Sequence, residues 1–317
     1  MLLFLLLKLF QLYTGKKKVI AELKGMKVSK IESLGSVKRL TILPMIDYYA
    51  VNEKFKTEAG VSYYIEADQT KILLDLGLNQ KREHPSPLLQ NMRKLEINLM
   101  DVDFIFLSHV HGDHIGGFKE QRESSFSISQ GEVESPAVPV YTPEYIKPSK
   151  WNPGFQTILI QYPRKIKDGI ASTGFIPRYL FLMGYTSEQS LAVHVEEKGI
   201  ILLIGCGHPT IEKIIERAKE IFKEPIYGII GGLHYPVKGG RIMAGSINLQ
   251  YLVASDQPPW KGLKEKDVLD AIELIKKENP QIVSLSPHDS SDWAIDLFKK
   301  AFGEKYRDLK VGESIII

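Results

Sequence analysis

The sequence is poor in cysteine, in charge imbalance and in long apolar runs, and each scarcity removes a class of protein. Cys206 stands alone among 317 residues, so no internal disulfide framework holds the chain, and a reducing, cytoplasmic setting is expected. The 41 basic residues nearly balance the 38 acidic ones, giving a formal charge of +3, and the two signs are mixed along the chain. No basic stripe announces nucleic acid as a partner. Internal repeats and low-complexity linkers are missing as well. The 44% apolar content is ample for a packed α/β core.

The one nearly unbroken apolar stretch, Met1 to Tyr13, is interrupted by Lys8 and Gln11 and followed by Lys16, Lys17 and Lys18. It falls short of the about 20 apolar residues that a bilayer-spanning helix needs. The basic n-region and small-residue cleavage site of a signal peptide are lacking too. We read residues 1–38 as a helical extension whose apolar part packs on its own domain or on a partner subunit of a homo-oligomer. The alternative is peripheral membrane contact through residues 1–18, backed by the lysines.

From Arg39 onward the pattern becomes strand-rich. Leu40–Leu43, Ser62–Glu66, Lys71–Leu74 and Phe104–Leu107 read as strands, and 85–97 reads as a helix. Short strands are expected at 138–141, 170–175 and 179–183, followed by a hairpin of 190–195 and 199–204. Pro209 opens a helix whose apolar positions Ile211, Ile214, Ile215, Ala218 and Phe222 keep a 3.6-residue period. Strand 226–230, a long loop over 231–262, helix 264–278, strand 282–285, helix 291–302 and strand 310–317 complete the chain. Strand runs before Gly205 and mixed elements after it predict two packed sheets with helices outside.

Eight histidines carry the chemical information, three of them within the segment His109-Val110-His111-Gly112-Asp113-His114. In extended chain His109 and His111 point the same way, so they can share one ion. Asp113 and His114 follow from a turn and can face a second. A lone histidine is usually a satisfied structural residue, and His84 and His194 are read that way. Four metal-competent side chains in six positions, straight after a buried strand, call for metal.

This segment resembles the signature of the metallo-β-lactamase superfamily. The resemblance implies an α/β fold of the αββα four-layer sandwich type over residues 39–317, with metals at one edge. It also implies that Asp75 orients the site by accepting a ring N–H from a ligating histidine; a plain strand-end turn is the other reading. The ligand-bearing turn expected before the hairpin reads Tyr185-Thr186-Ser187-Glu188-Gln189-Ser190 and holds no histidine. His208, in Gly205-Cys206-Gly207-His208-Pro209, is inferred to replace the missing ligand, and His288 matches the final one. One ion then falls to His109, His111 and His208, the other to Asp113, His114 and His288. Cys206 sits behind His208 or reaches the metals itself. His234 is open between substrate donor, further ligand and ordinary loop histidine.

Two divalent ions are therefore the expected cofactors: zinc on the histidine count, with manganese, iron or magnesium compatible with the carboxylate. The expected activity is a metal-dependent hydrolase acting on a small molecule such as a phosphoester or lactone, with Asp113 available to steer a water or return a proton. A closer likeness runs through residues 60–66, 107–109, 188–191, 205–209, 230–234 and 311–315. These resemble the dihydropterin-ribofuranosylaminobenzene-phosphate synthase group, which implies a condensation that releases diphosphate. The chain departs from that group at His288-Asp289-Ser290-Ser291, where the group has His-Cys-Thr-Gly. A non-catalytic metal-binding role is the third reading.

Overall fold

Along the strand Gly199–Ile204 every residue is buried, and its side chains divide by parity. Ile200, Leu202 and Ile204 enter a core shared with helices Ile211–Ile221, Glu265–Lys277 and Asp292–Phe302. Ile201 and Leu203 enter a different core, shared with Leu40, Ile42, Tyr63, Ile65, Ile72 and Phe104. A strand apolar on both faces must be covered on both. A third core does the same for the other sheet, where Tyr64, Leu73 and Ile105 meet Leu88 and Met92 of helix Pro87–Lys94. The computed structural model describes residues 2–317, and the result is an αββα sandwich.

Among the described residues the two large sheets have seven and six strands, and three further sheets have two each. The first runs Ile315–Ile316, Leu40–Ile46, Ser62–Ala67, Thr70–Leu74, Phe104–Phe106, Pro139–Thr142 and Gln156–Leu159. The second runs Ile282–Leu285, Ile226–Gly231, Gly199–Ile204, Leu191–Val195, Ile170–Ser172 and Arg164–Lys167. Parallel pairing decides where the site can lie. Leu74 pairs with Phe106, Ile204 with Gly231 and Gly231 with Leu285, so all five strands end at one edge. The segments that follow them hold Asp75, the His109 cluster, His208, His234 and His288.

Several element boundaries differ from expectation, each for a local reason. The helix expected over 85–97 is confined to Pro87–Lys94, because Ser86 caps its start and Glu96 takes a φ of 56° beyond its end. The strand expected over 170–175 stops at Ser172. Ile176–Leu180 instead pairs with Gly184–Glu188 as a separate hairpin, so the strand expected at 179–183 contains that hairpin's turn. The closing strand shrinks to Ile315–Ile316, since Gly312 bends the chain with a φ of 89°. Edge strands Gln156–Leu159 and Arg164–Lys167 lack clean alternation, and no sequence signal marks them.

Met1 lies outside the described residues; from Leu2 to Gly25 the chain is one helix. Its inner side rests on the Ile176–Leu180 hairpin. A Cβ on Gly15 would come within 2.1 Å of the Tyr179 ring, so only glycine allows that approach. Lys16 Nζ pairs with Asp256 at 2.7 Å, and the Tyr185 hydroxyl donates to Glu22 at 3.1 Å. Among the described residues no helix is long and apolar enough to cross a membrane.

Candidate metal centre

Thr70–Leu74 ends at Asp75, which bends the chain with a φ of 58° and is fully buried. Its carboxyl receives the Ser108 amide at 2.7 Å and the Ser108 hydroxyl at 2.6 Å. His114 Nδ1 lies 2.7 Å from the same oxygen as that hydroxyl. With Asp75 accepting, Nδ1 keeps its proton and Nε2 is the nitrogen an ion would take. Because the Ser108 hydroxyl donates to Asp75, its lone pair faces His109 Nδ1 at 3.0 Å as an acceptor. His109 Nε2 is then bare, and it is buried without a partner.

The other half of the site repeats this arrangement. The Ser286 hydroxyl donates to Asp47 at 2.7 Å and faces His288 Nδ1 at 2.6 Å, so His288 Nε2 points elsewhere. It lies 3.3 Å from Cys206 Sγ, which is itself 3.0 Å from His114 Nε2. Burial pushes Asp47 up to about 7, against the pull of its Ser286, Tyr48 and Tyr63 donors. Each carboxyl acts through a serine on a histidine, and so fixes which ring nitrogen is free.

The ligand atoms then fall into adjoining groups, with all members of a group within 4.8 Å of one another. One holds His109, His111 and His208; a second holds Asp113, His114, Cys206 and His288; a third holds Cys206, His208 and His234. The first two contain the two expected sets, with Cys206 added. His111 Nδ1 is 3.1 Å from His208 Nε2, a separation that an ion between them would suit. In the histidine-free turn, Thr186 Oγ1 lies 3.3 Å from His111 Nε2.

Burial pushes His111 down to about 3 and His234 to about 4, and holds His109, His208 and His288 well below the ordinary range. These rings are uncharged at neutral pH, as ligands must be. His114 differs. Burial pulls it down, but Asp75 and Asp113 outweigh that and hold it up at about 9 without an ion. The donor set, the neutral rings and the unpartnered nitrogens of His109, His208 and His234 fit divalent cations.

The segment carrying Cys206 and His208 is held by Glu188, which accepts the amides of Cys206, Gly207 and His208 at 3.0, 2.8 and 2.8 Å. Arg178 donates to the His208 carbonyl at 2.6 Å and pairs with Asp256 at 3.1 Å. Gly205 is required where it stands, since a Cβ there would come within 2.1 Å of Ser108 Oγ. His234, with a φ of 53°, faces the Gln250 carbonyl through Nε2 at 3.3 Å. That nitrogen therefore donates, and the bare Nδ1 suits a ligand better than a proton donor. A cavity of about 610 Å³ opens beside His234, Gly207 and Arg178.

His84 and His194 stand apart from all three groups, bonded to Ser129 at 2.9 Å and to the Gly35 carbonyl at 2.6 Å. Sequence reasoning missed Asp47, Ser286, Glu188 and Arg178 as supports of the site. A signal existed for the first two. Like Asp75 and Ser108, each is a polar residue placed directly after a buried apolar run.

Residues 56–160 match the model of a family described as the metallo-beta-lactamase superfamily. A curated relative, the 7,8-dihydropterin-6-methyl-4-(beta-D-ribofuranosyl)-aminobenzene-5'-phosphate synthase of Methanocaldococcus jannaschii, is 26% identical, with 64% of this chain and 80% of that protein covered. A solved metal-dependent hydrolase of the beta-lactamase superfamily superposes with a TM-score of 0.58 at 20% identity, covering 87% of this chain and 98% of its own. The metallo-beta-lactamase fold protein YhfI from Bacillus subtilis gives 0.52 at 13% identity, covering 88% and 100%. The last two likenesses are of fold alone. They share the sandwich fold, and the likeness of residues 56–160 to the metallo-β-lactamase superfamily falls on the stretch that holds the signature segment.

Proposed function

We propose that the protein is a metal-dependent hydrolase that binds two divalent ions, zinc first among them, and acts on a small phosphoester or lactone. One observation carries the reading: the segment His109–His114 meets His208 and His288 in one patch, and a cavity lined by Gly207 and His234 adjoins it. His109, His111 and His208 hold one ion, and Asp113, His114 and His288 the other, with Cys206 as an added ligand and His234 in reserve. Ions held there would lower the pKa of a water to about 7 and offer positive charge to a developing oxyanion.

Asp75 is a positioning residue that acts through His114. Asp113 is partly open, with 17% of its side chain exposed, so it can reach a bound water and exchange a proton with it. The cavity of about 610 Å³ falls in the range of about 300–1,000 Å³ common to small-molecule sites. Metal analysis with turnover of a phosphoester or lactone tests the proposal. The purified protein should carry about two equivalents of transition metal, and His111→Ala should lose both metal and turnover. Full metal content in that variant overturns the assignment.

The likeness to the Methanocaldococcus jannaschii synthase favours a second reading, transfer to an arylamine with loss of diphosphate from a pterin methyl diphosphate. The same ions would neutralise the departing diphosphate. Diphosphate released only when both substrates are present supports this reading. Release without the amine supports hydrolysis.

A further inference from the structure

On a helix that rests on a domain, the outer face is ordinarily polar. The helix Leu2–Gly25 departs from this over its first half. Its inner side carries the buried Leu12 and Val19 together with Lys16, which is paired to Asp256. At about 100° per residue, the opposite half of the circumference carries Leu3, Phe4, Leu6, Leu7, Phe10 and Tyr13. They are 81, 59, 54, 50, 65 and 60% exposed. Exposed apolar patches of this kind mark interaction surfaces. The same outer arc continues into Lys17 and Lys18, both exposed, and residues 1–21 contain no aspartate or glutamate. The first acidic residue, Glu22, already receives the Tyr185 hydroxyl.

We infer that this face seats the protein on an anionic lipid surface, with the apolar side chains in the acyl boundary and Lys17 and Lys18 at the headgroups. The charge pattern selects this occupant over a second copy of the chain. Pairing two such helices in parallel sets lysine against lysine, and antiparallel pairing sets lysine against leucine and phenylalanine. Neither arrangement supplies a carboxylate. A bilayer surface offers apolar depth and negative charge side by side, as an interfacial helix of this composition requires. From Leu3 to Tyr13 the helix rises about 15 Å, a contact of ordinary size for such helices. Its inner face reaches the cavity wall through the Lys16–Asp256–Arg178 chain, so docking would bring the cavity to the membrane surface.

Co-sedimentation of the full chain tests the inference, using phosphatidylcholine vesicles and the same vesicles containing about one-third phosphatidylglycerol. The protein should pellet preferentially with the anionic vesicles. Lys17→Glu with Lys18→Glu should weaken that binding more than about tenfold, because each lysine near an anionic surface contributes about fivefold. Leu3→Ser with Phe4→Ser and Leu7→Ser should abolish pelleting while metal content and thermal midpoint stay unchanged. In Phe10→Trp, emission should shift to the blue on adding anionic vesicles. A protein that stays in the supernatant with both vesicles, or an unshifted spectrum, overturns the inference. So does an oligomer in solution that the serine substitutions break into monomers, since a second copy then covers the face.

Discussion

His114 Nδ1 stands 2.7 Å from an oxygen of Asp75, and neither side chain is exposed to solvent. This contact sets the tautomer of His114 and also makes the ring a strong base while no ion is present. Burial alone would lower its pKa, but Asp75 and Asp113 hold it at about 9. An ion must therefore displace a proton from His114 at neutral pH. Apparent metal affinity should rise with pH through about 9 as His114 loses its proton. Asp75→Asn should weaken binding by about 10- to 100-fold at high pH and flatten the slope below it, as read by competition with a chelator.

Glu188 and His114 each give the metal-free protein a stabilising contribution that is lost as pH rises. Glu188 is raised by burial from 4.5 to about 7, so the folded state binds its proton more tightly than the unfolded state does. Its contribution is present below pH 4.5 and is lost as pH rises through about 7. His114, raised from 6.5 to about 9, acts with the same sign in the next window, with stabilisation lost as pH rises through about 9. Denaturant midpoints of the metal-free chain should fall as pH rises through about 9. In the lower window the histidines that burial holds low act with the opposite sign, so the Glu188 contribution is read as the difference between the chain and Glu188→Gln. Glu188→Ala, which orphans three amides, should cost about 2–5 kcal/mol.

Cys206 Sγ lies within 3.3 Å of both His114 Nε2 and His288 Nε2, so its thiol falls in the second group of candidate ligands. Cys206→Ser should weaken the ion at Asp113, His114 and His288 and spare the one at His109, His111 and His208. Stoichiometry should fall from about two ions to about one under mild chelation. In the cobalt-substituted protein, a thiolate-to-metal absorption band should be lost with the sulfur. Retention of two tightly held ions would show that Cys206 only packs behind the site.

Gly205→Ala should separate fold from site. The added methyl would meet Ser108 Oγ at 2.1 Å and lies 3.4 Å from Asp75, so it pushes on the hydroxyl that links Asp75 to His109. We expect a stability loss of about 1–3 kcal/mol and a much larger fall in metal affinity. Circular dichroism and metal analysis on one preparation distinguish the two. Equal affinity with a lowered midpoint would mean that the serine relay does not tune the metal.

Much of the fold was legible because it is periodic. Ile211, Ile214, Ile215 and Ala218 recur at helical spacing, and 199–204 is apolar throughout, as a strand covered on both faces must be. Boundaries were legible only where a local residue sets them. Ser86 sets a helix start that the reading over 85–97 placed too early, and nothing local shows that Ile170–Ser172 and Ile176–Leu180 part into different sheets.

The sequence by itself determined the His109–His114 segment, since ligands a few positions apart are brought together by backbone geometry alone. It also determined the apolar, acid-free start of the first helix. Only the tertiary structure decided that His208, His234, His288 and Cys206 meet that segment, because parallel strands distant in sequence end at one edge. It alone decided that Asp47 stands behind His288 through Ser286 and that Glu188 holds the Cys206–His208 turn. Contacts between residues tens to hundreds of positions apart leave no periodicity to read. They exist because burial leaves each polar group with few partners, and folding must supply them.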